Sequence, residues 1–394
     1  MTPTLENSLL KREVVTHRTA ETSSANDAQA RNDFKIVSAD GHWEVAEDIW
    51  YENFPTKMRD KAPRVWFDRG FWHQGYPEAL VAGSELAFFE EMLCKFIPNA
   101  LGAGAWDMTI RNKDFDLEGI QKELIYPQSL LAFIRHPDLE VQELIYWYYN
   151  EYIARVCARY PDRYYGVGVC SNWWEPSKAR QAVKQIVDLG LKTMMLPTVN
   201  VGRARDGRTL SYADKSMDAL WDEIGRAELP VSFHVGETID FRGRGGFLST
   251  GVTNLAAARR PLSELIFGGV FDRHPNLRIV FAEFGVAWVP VFLQDAEHAY
   301  DIEDPILDEL NSRPVKRPTH YWHNNCYSTF QNDRLGLKLL EYVGEDRVMW
   351  AQDYPHNEGT FGYSWSSRDD VIAATTNENA RKILGETAVQ LYGL

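Results

Sequence analysis

An α/β fold, a (β/α)8 TIM barrel with a long aromatic-rich insertion after its first strand, is predicted for this 394-residue chain. Three observations predict it. Eight short apolar, β-prone runs follow one another, helix-periodic segments lie between most of them, and acids and histidines gather at the carboxyl ends of the runs. Strands buried on both faces read as brief continuous apolar stretches, which suits a parallel sheet wrapped in helices.

The runs are Phe34 to Ala39, Glu123 to Tyr126, Tyr165 to Cys170, Lys192 to Leu196, Pro230 to His234, Arg278 to Ala282, Cys326 to Thr329 and Arg347 to Ala351. Helical spacing recurs at Glu140 to Arg159, Pro176 to Leu189, Ala213 to Glu228, Arg260 to Phe271, Val286 to Tyr300, Asp333 to Val343 and Asp369 to Leu384. Residues 1–32 are polar, with Ser23, Ser24, Asn26 and Asp27 among small or charged neighbours, and are expected to form a disordered tail. The barrel domain is then expected over residues 33–394.

Between the first two runs lies an irregular stretch, about residues 50–120, carrying Trp50, Tyr51, Phe54, Trp66, Phe67, Phe71, Trp72, Tyr76, Phe88, Phe89 and Phe96. A loop that follows a barrel strand lies over the catalytic end, so this piece reads as a lid over a bulky apolar substrate. A satellite core or an oligomer contact is the competing reading.

Composition limits the partners. A formal charge of −14 with no Lys/Arg cluster argues against nucleic acid and anionic membranes, which leaves a small-molecule substrate or another protein. Cys94, Cys157, Cys170 and Cys326 are scattered, without a Cys-x-x-Cys pair, as reduced thiols of a cytoplasmic enzyme would be. No stretch reaches the roughly 18 apolar residues of a membrane span. Trp147, Tyr148 and Tyr149 on one helix could either cover the barrel or form the patch of a homodimer, which is the expected assembly.

In a barrel, residues at the carboxyl ends of strands converge on the site. Asp40, His42 and Glu44 alternate past the first run, His234 ends the fifth, Glu283 follows the sixth and Asp353 follows the eighth. Imidazoles and carboxylates arriving from four strands suit a divalent ion such as zinc, manganese or iron, one or two per chain. Each residue has a plainer alternative. His42 and Asp40 could be a satisfied core pair, Glu283 could bond a ligand rather than the metal, and Glu44 could be a solvent-facing loop carboxylate. His356, three residues past Asp353, is placed to orient substrate or relay a proton. His274 precedes the sixth run and so falls at the opposite, structural end. His320 precedes the seventh run and reaches the site only if its segment folds back.

Several motifs carry a resemblance. Asp40-Gly41-His42, His234-Val235-Gly236, His274-Pro275-Asn276-Leu277, Glu283-Phe284-Gly285-Val286-Ala287-Trp288-Val289-Pro290 and Asp353-Tyr354-Pro355-His356-Asn357 resemble the amidohydrolase-related barrel family. That family includes aminocarboxymuconate semialdehyde decarboxylase and aromatic acid decarboxylases. The resemblance runs from Lys35 onward and extends to Asp114 to Ile120, Ala380 to Gly385 and Leu391-Tyr392-Gly393. It implies a metal site of Asp40, His42, His234 and Asp353, with Asp353 as ligand and general base and His356 assisting.

Two departures stand out. Glu283 replaces a histidine of decarboxylase-like members, and Glu44 replaces a histidine of relatives with His-x-His on the first strand. The fourth run, Thr193-Met194-Met195-Leu196, offers no lysine to be carboxylated as a bridge between two ions, so a two-metal site would need Glu283 or Glu44. The resemblance therefore implies a metal-dependent hydrolase or lyase acting through metal-activated water or substrate. Its alternative is a non-heme diiron monooxygenase, because some similar barrels oxidise coenzyme A-linked or polycyclic natural-product substrates. A binding protein that has lost its chemistry is the third reading.

Overall fold

The computed structural model of the chain describes residues 9–12, 34–68, 71–77, 102–128, 130–134, 136–204, 207–236, 244–302 and 313–394. The expected tail lies outside these apart from residues 9–12, and so do Phe88, Phe89 and Phe96 of the insertion.

The first apolar run forms β1 (Val37–Ser38), and a second short piece, β2 (His42–Trp43), follows beyond the run, after Asp40-Gly41. An antiparallel hairpin follows, β3 (Arg64–Asp68) with β4 (Phe71–Gly75). Then come β5 (Lys122–Pro127), β6 (Tyr164–Val169), β7 (Thr193–Leu196), β8 (Val231–His234), β9 (Ile279–Ala282), β10 (Cys326–Phe330) and β11 (Val348–Trp350). Outside the hairpin, β1 and β2 both pair with β5, and β5 to β11 pair each with the next, all in parallel. Backbone hydrogen bonds close the ring: Ala39 N–H to the Trp350 carbonyl (3.1 Å), Asp353 N–H to the Asp40 carbonyl (3.0 Å) and His42 N–H to the Tyr354 carbonyl (2.7 Å). This is the barrel that the eight runs predicted, and its closing seam runs between the first and last ligand-bearing segments.

Local chemistry explains the helices that wrap it. The Leu139–Cys157 helix starts at Asp138, whose carboxylate accepts from the Glu140 and Val141 amides at 3.2 and 3.3 Å. Val141, Ile145, Tyr149, Tyr152, Ile153 and Val156 recur at helical spacing on its buried face. Tyr149 is therefore turned into the core, and Trp147, Tyr148 and Tyr149 do not share one open patch. The Pro176–Asp188 helix opens with proline at its first position and buries Ala179, Val183 and Ile186 in the same way.

Three expected helices are interrupted. The one after β8 breaks at Gly268-Gly269 into Arg259–Phe267 and Val270–Arg273, where Gly269 takes φ 65° and a Cβ on Gly268 would strike Ala213. The one before β11 breaks into Arg334–Leu337 and Leu340–Val343. The last forms Ser364–Ala374 and Asn377–Arg381, divided because Thr375 is extended and Thr376 caps the second piece through its hydroxyl to Asn379 N–H, 3.2 Å.

The insertion is more ordered than a loop. Besides the hairpin it holds a helix at Ile49–Asn53 and another at Met108–Glu118. The second was not anticipated, although its signals are present: Asp107 caps the Thr109 and Ile110 amides, and Gly119 ends it with φ 65°. In the hairpin Trp66 stacks on His73 at 5.1 Å, and Phe67 packs edge-on against both Trp72 (5.3 Å) and Trp106 (6.2 Å), so its aromatic residues pack largely on one another. Among the described residues, no helix is long and apolar enough to cross a membrane.

Candidate metal centre

The barrel brings the expected side chains to one end. His42 follows Asp40 on the first strand, His234 is the last residue of β8, Glu283 follows β9 and Asp353 follows β11. Glu283 and Asp353 both adopt left-handed backbone, φ 69° and 57°. Non-glycine residues in that region carry strain of order 1–3 kcal/mol and concentrate at functional sites. All five residues are buried.

Their ligating atoms form two groups, Asp40, His42, His234 and Glu283 in one and His42, Glu283, Asp353 and His356 in the other, with all atoms of a group within 4.8 Å of one another. His42 Nε2 lies 3.4 Å from Asp353 Oδ1 and 3.7 Å from Glu283 Oε2; His234 Nε2 lies 3.3 Å from both Asp40 Oδ1 and Glu283 Oε2. His356 Nδ1 stands 3.0 Å from Asp353 Oδ1, and its ring stacks on His42 at 4.0 Å.

The protein leaves this space polar and unsatisfied. Asp40 Oδ2, His42 Nε2, Glu283 Oε2, Asp353 Oδ1 and His356 Nδ1 are buried without a well-aligned hydrogen bond. Orphaned buried polar atoms are rare, and five within two overlapping groups of acids and histidines fit a cation. The outer ring nitrogens agree: His234 Nδ1 donates to the Val235 carbonyl at 2.7 Å and His42 Nδ1 to the Pro127 carbonyl at 3.3 Å, which directs both Nε2 atoms inward toward the cluster. Mixed imidazole and carboxylate donors suit zinc, manganese or iron.

Charge is concentrated accordingly. Burial, reinforced by the charge of Asp353, pushes the Glu283 carboxyl well above the usual carboxylate range. Burial would raise Asp353 too, but the facing His356 and His42 imidazoles hold it well below that range. Burial would lower His356, yet the Asp353 carboxylate beside it prevails and raises it to about 10. His234 is also raised, because Asp40 and Glu283 outweigh its desolvation.

Glu44 is a correction. Although buried, it belongs to neither group; its carboxylate accepts a hydrogen bond from Gln74 of the β3–β4 hairpin and fastens that hairpin to the barrel. β2 ends at Trp43, and the Glu44 amide donates to the Ala105 carbonyl of the insertion at 2.9 Å. His320 is exposed on the helix Pro318–Asn325, which enters β10 from the far end, and it lies in neither group. His274 bridges Asp218 and Asp222, each at 3.2 Å, and is structural as expected.

Sequence reasoning passed over the polar residues that hold the site. Gln331 donates to Asp353 Oδ2 at 3.3 Å, and Gln128 contacts His356 Nε2. Arg111 and Glu123 form a fully buried ion pair beneath Gly41. Only Glu123, a charge inside an apolar strand run, gave a sequence signal.

Known proteins place this geometry. The amidohydrolase family pattern matches residues 137–394. The chain is 24% identical over 298 residues to 2-amino-3-carboxymuconate-6-semialdehyde decarboxylase of Dictyostelium discoideum, covering 75% of this chain and 79% of that protein. It is 24% identical over 258 residues to gamma-resorcylate decarboxylase of Rhodococcus jostii (strain RHA1), covering 62% and 75%. Among solved structures, an amidohydrolase from Mycobacterium avium subsp. paratuberculosis K-10 superposes with TM-score 0.72 at 19% identity, covering 92% of this chain and all of the other. 5-Carboxyvanillate decarboxylase from Novosphingobium aromaticivorans, crystallised with manganese, gives TM-score 0.64 at 18% identity, covering 97% and 100%. The match over the C-terminal two thirds, together with the barrel and its carboxyl-end acids and histidines, makes this chain an enzyme that belongs to the amidohydrolase family.

Proposed function

We propose that this enzyme is a metal-dependent lyase or hydrolase acting on a bulky aromatic or apolar small molecule, with decarboxylation of an aromatic acid as the leading reaction. One observation carries it: Asp40, His42, Glu283, Asp353 and His356, which follow three strands and gather in two overlapping groups, each bury a polar side-chain atom without a well-aligned hydrogen bond. Asp40, His42, His234, Glu283 and Asp353 would hold the ion. Bound there, a divalent ion supplies Lewis acidity, polarising a substrate oxygen or lowering the pKa of water.

The chain's own residues supply the proton. Loss of CO2 from a ring leaves an electron pair on carbon, which must take up a proton as the C–C bond breaks. His356, raised to about 10, keeps its proton at neutral pH and shares it with Asp353 across 3.0 Å. Gln128 steadies the far nitrogen of that ring. Asp353 and His356 thus form a proton store beside the ion site, able to deliver a proton in decarboxylation or to remove one from water in hydrolysis. The hairpin fastened by Gln74 and Glu44 would cover an apolar ring and limit water.

A second reading has its own support. The two ligand groups overlap in His42 and Glu283, so Glu283 could bridge two ions in a carboxylate-rich centre of the kind iron favours. That arrangement would suit oxygen-dependent hydroxylation of a coenzyme A-linked or polycyclic substrate, with an external reductant. Metal content of protein purified without added metal, together with CO2 release from 2,6-dihydroxybenzoate and 5-carboxyvanillate, separates the readings. One ion per chain with CO2 release supports the lyase; two irons per chain with reductant-dependent oxygen uptake and no CO2 would replace it with the oxygenase.

A further inference from the structure

We infer that Arg111, paired with Glu123, is a positioning residue that sets the distance between the two sides of the metal centre. This rests on the reading of Asp40, His42, His234, Glu283 and Asp353 as ligands. Arg111 lies on the Met108–Glu118 helix of the insertion and is completely buried. Its Nε and Nη2 donate to Glu123 Oε2 and Oε1 at 2.8 and 2.6 Å. Nη1 donates to the carbonyls of His42 (3.0 Å) and Gly104 (3.1 Å), and Nη2 also reaches the Tyr354 carbonyl at 3.5 Å.

His42 and Tyr354 stand on opposite sides of the barrel's closing seam, one carrying a ligand and the other directly following Asp353. One planar guanidinium therefore spans the seam at the level of the ligands. The geometry is enforced from around it. The guanidinium lies 4.7 Å from the Tyr354 ring centre and 5.3 Å from that of Phe115, and Gly41 lacks the Cβ that would strike the Glu123 carboxylate. A lysine could keep the charge, but its single ammonium cannot grip a carboxylate and three carbonyls at fixed angles. The insertion after the first strand thereby delivers the residue that aligns His42 with Asp353.

The test uses full-length Arg111→Lys and Glu123→Gln, with Val343→Ala, buried and remote from the site, as a destabilised control. Mn2+ is titrated into metal-free protein and free ion is read by electron paramagnetic resonance. Both variants should bind Mn2+ about 10–100-fold more weakly while retaining their circular dichroism, as loss of an outer partner does at other metal sites. Val343→Ala should lose thermal stability with its affinity unchanged. Affinities for folded Arg111→Lys and Glu123→Gln within about twofold of the parent would overturn the positioning role; if one variant does not fold, the other decides. If the parent itself held no Mn2+, the ligand reading would fall, and the positioning role would then be judged on metal-free protein labelled at histidine. Ring-proton resonances of the stacked His42 and His356 should move in Arg111→Lys and not in Val343→Ala; unmoved resonances would overturn it.

Discussion

Gly41 faces the Glu123 carboxylate so closely that a Cβ at residue 41 would stand 2.0 Å from Oε1. The neighbour is half of a buried ion pair and cannot swing aside as a surface carboxylate would. Gly41→Ala is therefore expected to destabilise the protein by about 1–3 kcal/mol or more, in the range of overpacked cores. Urea unfolding measures it; a change near zero would show that the pair relaxes freely.

Asp353 has three claims on one carboxylate: a candidate ligand atom facing inward, an ion-pair contact with His356 and a hydrogen bond accepted from Gln331. Asp353→Asn keeps the shape and the Gln331 contact but removes the charge. Turnover should fall by about 10²–10⁴-fold or more with the fold retained. Steady-state kinetics beside a circular dichroism spectrum decides this, and retained turnover would remove Asp353 from the chemistry.

Glu44 and Glu283 should behave oppositely. Glu44→Gln is expected to leave metal content unchanged, because its side chain serves the hairpin. Glu283→Gln should weaken the ion by at least about 10–100-fold, the usual loss for disturbing a metal site. Elemental analysis after dialysis distinguishes them, and metal loss in Glu44→Gln would return that residue to the ligand set.

Metal uptake should release protons. In the metal-free protein burial and the charge of Asp353 shift Glu283 toward its protonated form, and His234 is shifted the same way by Asp40 and Glu283. Ligands must be deprotonated, so the metal-free state binds more protons than the loaded one. Affinity should consequently rise with pH and weaken on acidification. Calorimetric titration in two buffers of different ionisation enthalpy reads the proton count directly; zero release contradicts the assignment.

Much of this was legible in sequence, for reasons that are local. β8 and β9 are buried on both faces, so Val231 to His234 and Ile279 to Ala282 are apolar runs that announce themselves without any fold in hand. Once eight such runs alternate with helices, topology alone sends His234, Glu283 and Asp353 to the same end, which is why the inward-facing cluster was anticipated nearly complete.

Side-chain direction past a strand end depends on the backbone turn, and no residue pattern states it. Asp40, His42 and Glu44 look equivalent by alternation, yet Asp40 and His42 face the centre whereas Glu44 turns to Gln74, 30 residues further along the chain. Arg111 shows the same limit. Charge inside a helix of the insertion reads as a solvated face, and only the closed barrel brings the His42 and Tyr354 carbonyls and the Glu123 carboxylate around it. Periodicity and residue type, which act over a few neighbours, determined the barrel and the gathering of acids and histidines at its carboxyl end. Contacts between segments more than 200 residues apart, such as Arg111 with Tyr354, were decided by tertiary structure, because their energy exists only after the seam has closed.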